Sequence, residues 1–442
     1  MSDPAVVSSG APVADLEVPV EYFKLDNGLK VVLSPDRTTP VATVAVYYHI
    51  GFRIEPKDRT GFAHLFEHMM FQGSENLGKM EFIKLVQSNG GVLNGSTRFD
   101  FTNYFEIVPV HTLETALWAE ADRMRGLDIT QENLTNQQEV VKNEVRVNVL
   151  NAPYGGFPWL DLPQKANVNW YNAHNFYGDL EDLDAATLED VASFFETYYA
   201  PNNAVVVVVG DIDVGQTRQW IHKYFGDIPS APQPQKPDIS EPRQEQEKRF
   251  VENYPRAPRP GLAVGYQSPD TDSAEYYALG LIDQILAQGN DSRLHQNLVQ
   301  GKGLTDSVGA SVNFLGNMFN IDGPTLYTIT LFHDTSNSAD TVLQAIDEEI
   351  VRLQNTPVDA ATLDLARTKM RSSLYDAMEG FFGFGRADIL ASFALFFDDP
   401  QRINSIDDRF AVVTPELIQR TAREYLRPTN RTILVAQPGG AS

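Results

Sequence analysis

The chain of 442 residues is long enough for two or three domains, and its 42% apolar and 21% charged residues are ordinary for a globular protein. A formal net charge of −24 argues against nucleic acid and anionic membranes as partners, because both would repel the chain. The sequence contains no cysteine, which excludes disulfide bonds and thiolate zinc sites. Any bound metal ion must therefore be held by histidine and carboxylate side chains.

Residues 1–20 contain many small side chains and predict a flexible tail. They lack the basic start and the apolar block of a signal peptide. No apolar run in the sequence reaches the length of a membrane span. Because a mature exported protein would also lack a signal peptide, we expect a soluble protein of either the cytoplasm or the periplasm.

The first part of the chain mixes strand and helix patterns. Residues 22–34 predict two strands around the turn Asp26-Asn27-Gly28, and the β-branched and aromatic run at 41–50 predicts a buried strand. A glycine-flanked stretch at 91–97 leads into another strand-like run. Helices are expected at about 61–71, 79–89, 111–127 and 132–150.

The helix at 61–71 carries the pattern H-x-x-E-H, with histidines at 64 and 68 and a glutamate at 67. Residues three and four apart share a helix face, so His64, Glu67 and His68 are expected to point the same way. Two imidazoles on adjacent turns can hold one zinc ion, and this pattern is the inverted form of the H-E-x-x-H zinc-peptidase motif. A helix that carries two histidines by chance is the alternative.

The helix at 132–150 places Glu144 on the same side as Val140, Val141 and Val145. A carboxylate among valines is costly unless it is paired or coordinated. Glu144 is therefore a candidate metal ligand, and a salt bridge is the alternative.

A helix–strand unit at 187–211 recurs at 414–437. Five of its residues have an identical residue 227 positions later: Thr187, Glu189, Tyr198, Pro201 and Asn203. A repeat of this length indicates two homologous domains, and the proline- and glutamine-rich residues between them predict a linker.

The second half of the chain has its own strand at 261–266 and helix at 274–288, and that helix takes the place of the motif helix without a histidine pair. We therefore predict an α+β fold of two homologous domains, each a mostly antiparallel sheet with helices packed on one face. The predicted boundaries are a tail at 1–20, a zinc-bearing N-terminal domain at 21–229, a linker at 230–248 and a C-terminal domain without metal site at 249–442.

From about Tyr22 onward the sequence resembles the insulinase/pitrilysin family of zinc peptidases, and within it the short-chain branch related to mitochondrial processing peptidase. The resemblance rests on four stretches: H-L-F-E-H at 64–68, N-G-S-T-R-F-D-F-T-N-Y at 94–104, E-V-V-K-N-E at 139–144 and the Y-x-x-P-x-N ends of the repeat. It implies a zinc-dependent endopeptidase that cleaves peptides or unfolded segments inside a chamber.

The resemblance implies one zinc ion per chain and supplies a third ligand, a glutamate about 75 residues beyond the motif. Glu144 lies 76 residues after His68. Together with His64 these ligands would leave the fourth tetrahedral position to water, as in a catalytic site. Glu67 would be the general base that takes the proton of the zinc-bound water and later passes it to the leaving amine.

The stretch at 91–97 resembles the family's substrate-binding edge strand, to which an extended peptide adds as another strand. In the family, the residue matched by Asn94 holds the substrate backbone beside the zinc ion, and Gly95 and Ser96 belong to the same stretch. From spacing alone, a turn asparagine is the simpler explanation of Asn94.

The sequence departs from the family pattern near the third ligand. A second family glutamate, seven residues before that ligand, is Gln137 here, and Glu139 lies two residues later on another helix face. Gln137 and Glu139 are the candidates for supporting the ligands, but a glutamine carries no charge.

A second departure lies in the stretch where the family has an arginine and a tyrosine that stabilise the developing oxyanion. Here the arginine position is Val299 and the tyrosine position is Asp306. Losing one such donor typically costs roughly a hundred- to a thousandfold in rate. We therefore expect a homologous partner subunit that carries the missing pair. The alternatives are a second copy of this chain or donors close by in this chain, for which the candidates are Arg293, His295 and Lys302.

A function of a different class is also open at this point. Some relatives of processing peptidase are structural or assembly subunits, and a peptide-binding subunit with little turnover would fit the missing donors. The intact set of three ligands and a base favours catalysis.

Overall fold

Two sheets, one in each half of the chain, organise the computed structural model, which describes residues 17–439. The first sheet has the order β1-β2-β6-β3-β5-β4, and the second has the order β7-β11-β8-β10-β9. Each has one parallel pair, β2 with β6 and β7 with β11, and is otherwise antiparallel. The strands are β1 (Glu21–Lys24), β2 (Lys30–Pro35), β3 (Val41–Tyr48), β4 (Val92–Thr97), β5 (Thr102–Pro109), β6 (Ala204–Gly210), β7 (Lys248–Tyr254), β8 (Gly261–Gln267), β9 (Thr305–Ser311), β10 (Leu326–His333) and β11 (Arg431–Pro438).

Helices make up most of the remaining regular structure. The first half contains α1 (Phe62–Met69), α2 (Glu81–Ser88), α3 (Leu113–Arg125), α4 (Gln131–Val145), α5 (Asp161–Ala166), α6 (Trp170–Ala173), α7 (Leu180–Ala185), α8 (Leu188–Tyr198) and α9 (Val214–Phe225). The second half contains α10 (Ala274–Leu286), α11 (Ala339–Asn355), α12 (Ala360–Glu379), α13 (Phe384–Phe397), α14 (Ile406–Ala411) and α15 (Pro415–Tyr425). These elements confirm the predicted α+β class and its two sheet-plus-helix domains.

The repeat found in the sequence occupies equivalent places in the two sheets. Asn203 donates its side-chain amide to the carbonyl of Tyr198 at 2.9 Å, and Asn430 donates to the carbonyl of Tyr425 at 2.7 Å. Each asparagine thereby ties the end of a helix, α8 or α15, to the start of the central strand that follows, β6 or β11. The same local contacts recur because the same residues recur.

The second face of each sheet is covered by a helix from the other half of the chain. Helix α13 packs on β3 and β6 of the first sheet, where Phe384 stacks on Phe105 at 3.8 Å between ring centroids. In exchange, α5 packs on β8 and β11 of the second sheet, where Leu162 lies with Ala263 and Leu434 in one apolar cluster. Helices therefore cover both faces of each sheet, and the helix on the second face comes from the other half of the chain.

The motif helix α1 begins at a buried carboxylate. The Oε1 atom of Glu55 accepts a hydrogen bond from the N–H of Ala63 at 2.6 Å, and Oε2 accepts one from Gly61 at 2.9 Å. These N–H groups at the helix start have no intrahelical acceptor, and the residue that precedes the helix, Gly61, has no side chain to supply one. Glu55 provides the acceptor in its place. Burial nevertheless raises the pKa of Glu55 above its usual value. The effect is to fix the position of the helix that carries His64.

The domain boundaries remain a prediction, and the structure differs from them in two places. Residues 1–16 of the predicted tail lie outside the described residues. In the described remainder Val18 is buried, and it exchanges backbone hydrogen bonds with the side chain of Asn404 at 2.7 and 2.9 Å. Residues 230–245 contain neither helix nor strand, whereas Lys248, predicted to end the linker, is the first residue of β7.

Across residues 17–439 no single helix is long and apolar enough to cross a membrane, and the bent pair α12 and α13, at 103° to each other, meets that test only when taken together.

Candidate metal centre

Three side chains from two helices converge on one face of α1. The Nε2 atoms of His64 and His68 are 3.3 Å apart, and Oε2 of Glu144 lies 3.7 Å from the first and 3.4 Å from the second. The histidines are one turn apart on α1, while Glu144 comes from the last turn of α4, which packs against α1. Among the described residues this is the group of three or more ligand-type side chains that could hold a metal ion.

These separations fit a tetrahedral zinc site. With zinc bonds of about 2.0–2.1 Å to nitrogen and oxygen, the donor atoms of a regular tetrahedron stand about 3.3–3.4 Å apart. The three observed separations of 3.3, 3.4 and 3.7 Å require only a small closing movement of Glu144. Two imidazoles and a carboxylate leave one corner of the tetrahedron for another ligand, as in catalytic rather than structural zinc sites.

The protonation states also suit a cation. Burial, with a smaller contribution from the neighbouring His68, lowers the pKa of His64 to about 4, so its imidazole is neutral near pH 7. The hydrogen bond from His68 is the main cause that lowers the pKa of Glu144 to about 2, so this carboxylate is ionised. Metal ions bind deprotonated ligands, and both groups are in that form.

Glu67 lies beside the three donors and is held by a residue of the edge strand. The hydroxyl of Thr97 donates to Oε2 of Glu67 at 2.7 Å. Burial raises the pKa of Glu67, and the hydrogen bond from Thr97 partly opposes that rise. A carboxylate with a raised pKa next to a metal site is suited to accept and return a proton.

Tyr177 supports the third candidate ligand, and sequence reasoning missed it. Its hydroxyl donates to Oε1 of Glu144 at 2.8 Å, which leaves Oε2 facing the histidines. Asn148 approaches the same Oε1 at 3.5 Å, the limit of a hydrogen bond. Tyr177 lies in a loop before α7 and has no helical or strand spacing relative to the motif, so no local pattern identifies it.

The two residues expected to support the ligands, both on α4, have other partners. Glu139 is exposed and forms a salt bridge with Lys142 at 2.5 Å. Gln137 is buried and donates to the side chain of Asn136 at 2.9 Å. Within residues 17–439, neither of them forms a hydrogen bond with the three candidate ligands. The predicted valine side of α4 also differs, since Val140 is exposed while Val141 and Val145 are buried.

The stretch predicted as an edge strand is β4, at the edge of the first sheet and paired on one side with β5. Its Gly95 lies against the motif helix, because a Cβ atom there would stand 3.3 Å from Cγ of Glu67. Asn94 accepts a hydrogen bond from the N–H of Gly95 at 3.0 Å, and Ser96 donates to Asn103 at 2.5 Å. The free edge of β4 therefore runs beside Glu67.

The two positions that depart from the family pattern lie in the second half. Val299 is in the π-helical segment His295–Gly301, and Asp306 is an exposed residue of β9 that pairs with Arg259 at 2.7 Å. Of the alternative donors, Lys302 pairs with Glu348 at 2.5 Å, and the His295 ring contacts Gln300 at 3.3 Å.

Comparison with known sequences gives two family matches. Residues 30–153 match the family described as "Insulinase (Peptidase family M16)", and residues 185–370 match "Peptidase M16 inactive domain". The first match contains the two histidines, Glu67 and Glu144, and the second extends through much of the half without a histidine pair.

Two curated relatives extend along most of the chain. The "Zinc protease PqqE" of Helicobacter pylori is 28% identical over 425 residues, which are 95% of this chain and 93% of that protein. The "Probable mitochondrial-processing peptidase subunit beta" of Arabidopsis thaliana is 22% identical over 374 residues, 80% of this chain and 67% of that protein.

Solved structures agree with these relatives. The crystal structure of a protease from Helicobacter pylori superposes with a TM-score of 0.87 at 26% identity, covering 95% of this chain and 100% of the other. A peptidase M16 inactive domain from Pseudomonas fluorescens shares the fold with a TM-score of 0.84 at 18% identity, covering 96% of this chain and 99% of the other. Taken with the two family matches, these similarities show that the chain belongs to the insulinase family of zinc proteases, peptidase family M16.

Proposed function

We propose that this chain is the zinc-bearing subunit of an endopeptidase, with one zinc ion held by His64, His68 and Glu144. The observation that carries the proposal is the convergence of these three donors, 3.3 to 3.7 Å apart, beside a carboxylate held by Thr97. A chain that served only as scaffold or assembly subunit would need neither the donors nor the base.

The zinc ion, when bound, supplies Lewis acidity that makes water a nucleophile near neutral pH. Glu67 acts as the general base: it takes a proton from the attacking water and later delivers it to the leaving amine nitrogen. The hydrogen bond from Thr97 engages Oε2 of Glu67, so Oε1 is the oxygen left for the proton transfer. Tyr177 keeps the carboxylate of Glu144 turned toward the histidines.

The proposed substrate is an extended peptide or unfolded segment that adds to the free edge of β4. Backbone hydrogen bonds to an edge strand recognise main chain rather than a particular sequence. Gly95 has no side chain between the bound peptide and Glu67, and its neighbours Asn94 and Ser96 offer polar groups to the peptide backbone. Cleavage would occur where the added strand passes Glu67.

The proposed complex contains a homologous subunit that supplies the oxyanion donors. Val299 donates no hydrogen bond through its side chain, and the carboxylate of Asp306 would repel an oxyanion. Arg259, which pairs with Asp306, is already neutralised by it. The Arabidopsis relative is itself named a subunit, in keeping with a partner. The compartment, cytoplasm or periplasm, stays a prediction.

Replacing Glu67 with glutamine tests the catalytic role. Zinc content should stay at one ion per chain while peptide cleavage falls by roughly a hundred- to ten-thousandfold. Glu139→Gln is the matched control, because Glu139 is exposed on α4 and pairs with Lys142. Metal analysis and cleavage of an unfolded protein give the two readouts. Full activity in the Glu67 variant, or zinc-free wild-type protein, would refute the proposal.

The partner is tested by comparing the purified chain with the chain plus a homologue that carries the arginine and tyrosine. We expect turnover to rise at least about a hundredfold in the mixture. Equal turnover by this chain alone would exclude the need for a partner.

A further inference from the structure

The loop between α12 and α13, residues 380–383, exposes two adjacent phenylalanines. Phe381 is 56% exposed and Phe382 is 64% exposed. Both have left-handed backbone conformations, with φ of 51° and 55°. Side chains with a Cβ atom avoid this region, so two consecutive phenylalanines in it are costly. Strain of this kind persists where the surroundings enforce it, and it concentrates at ligand-binding sites.

The surroundings do enforce the loop conformation. Thr43 of β3 donates its hydroxyl to the carbonyl of Phe382 at 3.1 Å. Gly385 follows the loop, and a Cβ atom there would stand only 1.7 Å from the carbonyl oxygen of Ala377. Only glycine therefore fits where the start of α13 approaches the end of α12. The two phenylalanines are therefore presented on a fixed loop.

The loop lies on the face of the first sheet that carries Phe105. The ring of Phe381 meets the ring of Phe105 edge-on, with 6.0 Å between centroids. Phe105 pairs directly with Asn94 of β4, and Ile107 pairs with Val92 of the same strand. Residues that pair directly point to the same face of a sheet. Val92, which is 46% exposed, therefore lies on the same face as the two phenylalanines.

A peptide added to β4 would place alternate side chains on the two faces of the sheet. One set would lie on the face of α1 and Glu67. The other set would lie on the face of Phe105, where Val92, Phe381 and Phe382 present exposed apolar surface. Val92 is three residues from Gly95, about 10 Å along the strand, whereas Phe381 contacts Phe105, which pairs with Asn94 next to Gly95. The apolar surface therefore extends from one to three residues away from the point nearest Glu67.

We propose that Val92, Phe381 and Phe382 form a specificity subsite that takes a large apolar side chain of the bound peptide, one to three residues from the bond that is cleaved. The subsite rests on the proposed function only in that the peptide lies along β4; binding there does not require turnover. The preferred substrates are extended segments with an aromatic or branched aliphatic residue at that place, as unfolded polypeptides expose. Contact with such a side chain buries the two rings that the strained loop otherwise leaves in water.

The test measures peptide binding with the zinc-loaded full chain carrying Glu67→Gln, so that no substrate is consumed. Labelled twelve-residue peptides of serine, threonine and glycine, with one phenylalanine moved through successive positions, are titrated by fluorescence anisotropy. We expect the best peptides to bind about tenfold more tightly than the host without phenylalanine. The gain should disappear when Phe381→Ala and Phe382→Gly are added. Val412→Ala, which changes a residue 67% exposed beyond α14, is the control and should preserve the gain.

Glycine adopts a φ of 55° without steric strain, so Phe382→Gly should leave the thermal stability of the chain unchanged or higher. A loss of binding in this variant therefore cannot be attributed to misfolding. Equal affinities for the phenylalanine peptides and the host, or no binding at millimolar concentration, would overturn the subsite. A double variant that keeps the preference would do the same. If the variant instead changes the molar mass measured by light scattering, a second copy covers the phenylalanines and the subsite is wrong. If the two substitutions abolish the preference, but the wild-type chain mixed with a homologue that carries the arginine and tyrosine cleaves nothing, the subsite would stand and the peptidase would be refuted.

Discussion

The hydroxyl of Thr97 donates a hydrogen bond of 2.7 Å to Oε2 of Glu67, and this contact joins the edge strand β4 to the motif helix α1. It fixes the orientation of the base from the strand on which the substrate is proposed to lie. The strand proposed to receive the peptide and the carboxylate proposed to act on it are thereby held in a fixed position relative to each other.

Thr97→Val should test this relationship, because valine keeps the shape of threonine and removes the donor. We expect kcat to fall about tenfold with zinc content and KM nearly unchanged, since Glu67 loses its orientation but the ligands do not change. Thr97→Ser should recover most of the rate because it restores the hydroxyl. A valine variant with the wild-type kcat would show that the hydrogen bond is dispensable.

Tyr177→Phe should weaken zinc binding without changing any ligand. The hydroxyl lost is the one that donates to Oε1 of Glu144 at 2.8 Å. Removing such a supporting hydrogen bond typically costs 10- to 100-fold in metal affinity, to be measured by competition with a chromophoric chelator. Asn148→Ala removes only the 3.5 Å contact and serves as the control, with less than about threefold change. Equal effects of the two variants would contradict the assigned role of Tyr177.

Arg123→Met should destabilise the first half of the chain strongly. Arg123 is buried with Glu106 and Glu120 and lies over the rings of Phe82 and Tyr104. Removing one partner of a buried ionic cluster leaves an uncompensated charge and costs about 3–5 kcal/mol in the free energy of unfolding. The change in the free energy of unfolding is measured by urea denaturation.

The comparison for that experiment is Arg125→Met on the same helix, where the guanidinium is partly exposed and pairs with an exposed Asp227. A surface pair contributes about 0–1 kcal/mol. Similar losses of unfolding free energy in the two variants would mean that charge interactions do not stabilise the buried cluster.

Asp283→Asn should change how stability depends on pH. Burial raises the pKa of Asp283 in α10 to about 7, against a usual value near 3.8. Between these two pKa values the folded state therefore binds more protons than the unfolded state. The stability that depends on the protonated carboxyl of Asp283 is complete below about pH 3.8 and is lost as pH rises through about 7.

The free energy of unfolding should fall from pH 5 to pH 8 more steeply in the wild-type protein than in the asparagine variant. The difference in slope is at most about 1.4 kcal/mol per pH unit. Parallel curves for the two proteins would show that Asp283 is already ionised in the folded protein at pH 5.

Local patterns predicted the elements of the site, and long-range contacts decided what supports them. The helical spacing of His64, Glu67 and His68 was sufficient to predict a shared face, and the hairpin turn and the repeat were visible as short sequence signals. Glu144 was suggested by its place among valines, although Val140 proved to be exposed. Apart from the repeat, whose two copies are 227 residues apart, these predictions depended on residues close together in the sequence.

The supporting residues carry no such signal. Tyr177 binds Glu144 from a loop 33 residues away, and Glu55 binds the start of α1 from a loop six to eight residues before its partners, where no helical or strand spacing marks it. The strand β7 was missed for a similar reason, since its polar and charged alternation lies at the end of a proline-rich segment. Its pairing with β11, nearly two hundred residues later, is what makes it a strand.

Because α13 packs on the first sheet and α5 packs on the second, the two halves of the chain are joined into one rigid body. Pulling the two sheets apart would expose Val207 and Val209 on one side and Ala263 and Leu434 on the other, all of which are buried. Such exposure costs too much free energy for the two sheets to separate routinely. In the proposed complex, entry and exit of a peptide would therefore depend on how this chain moves against the partner subunit, and not on motion between its own two sheets.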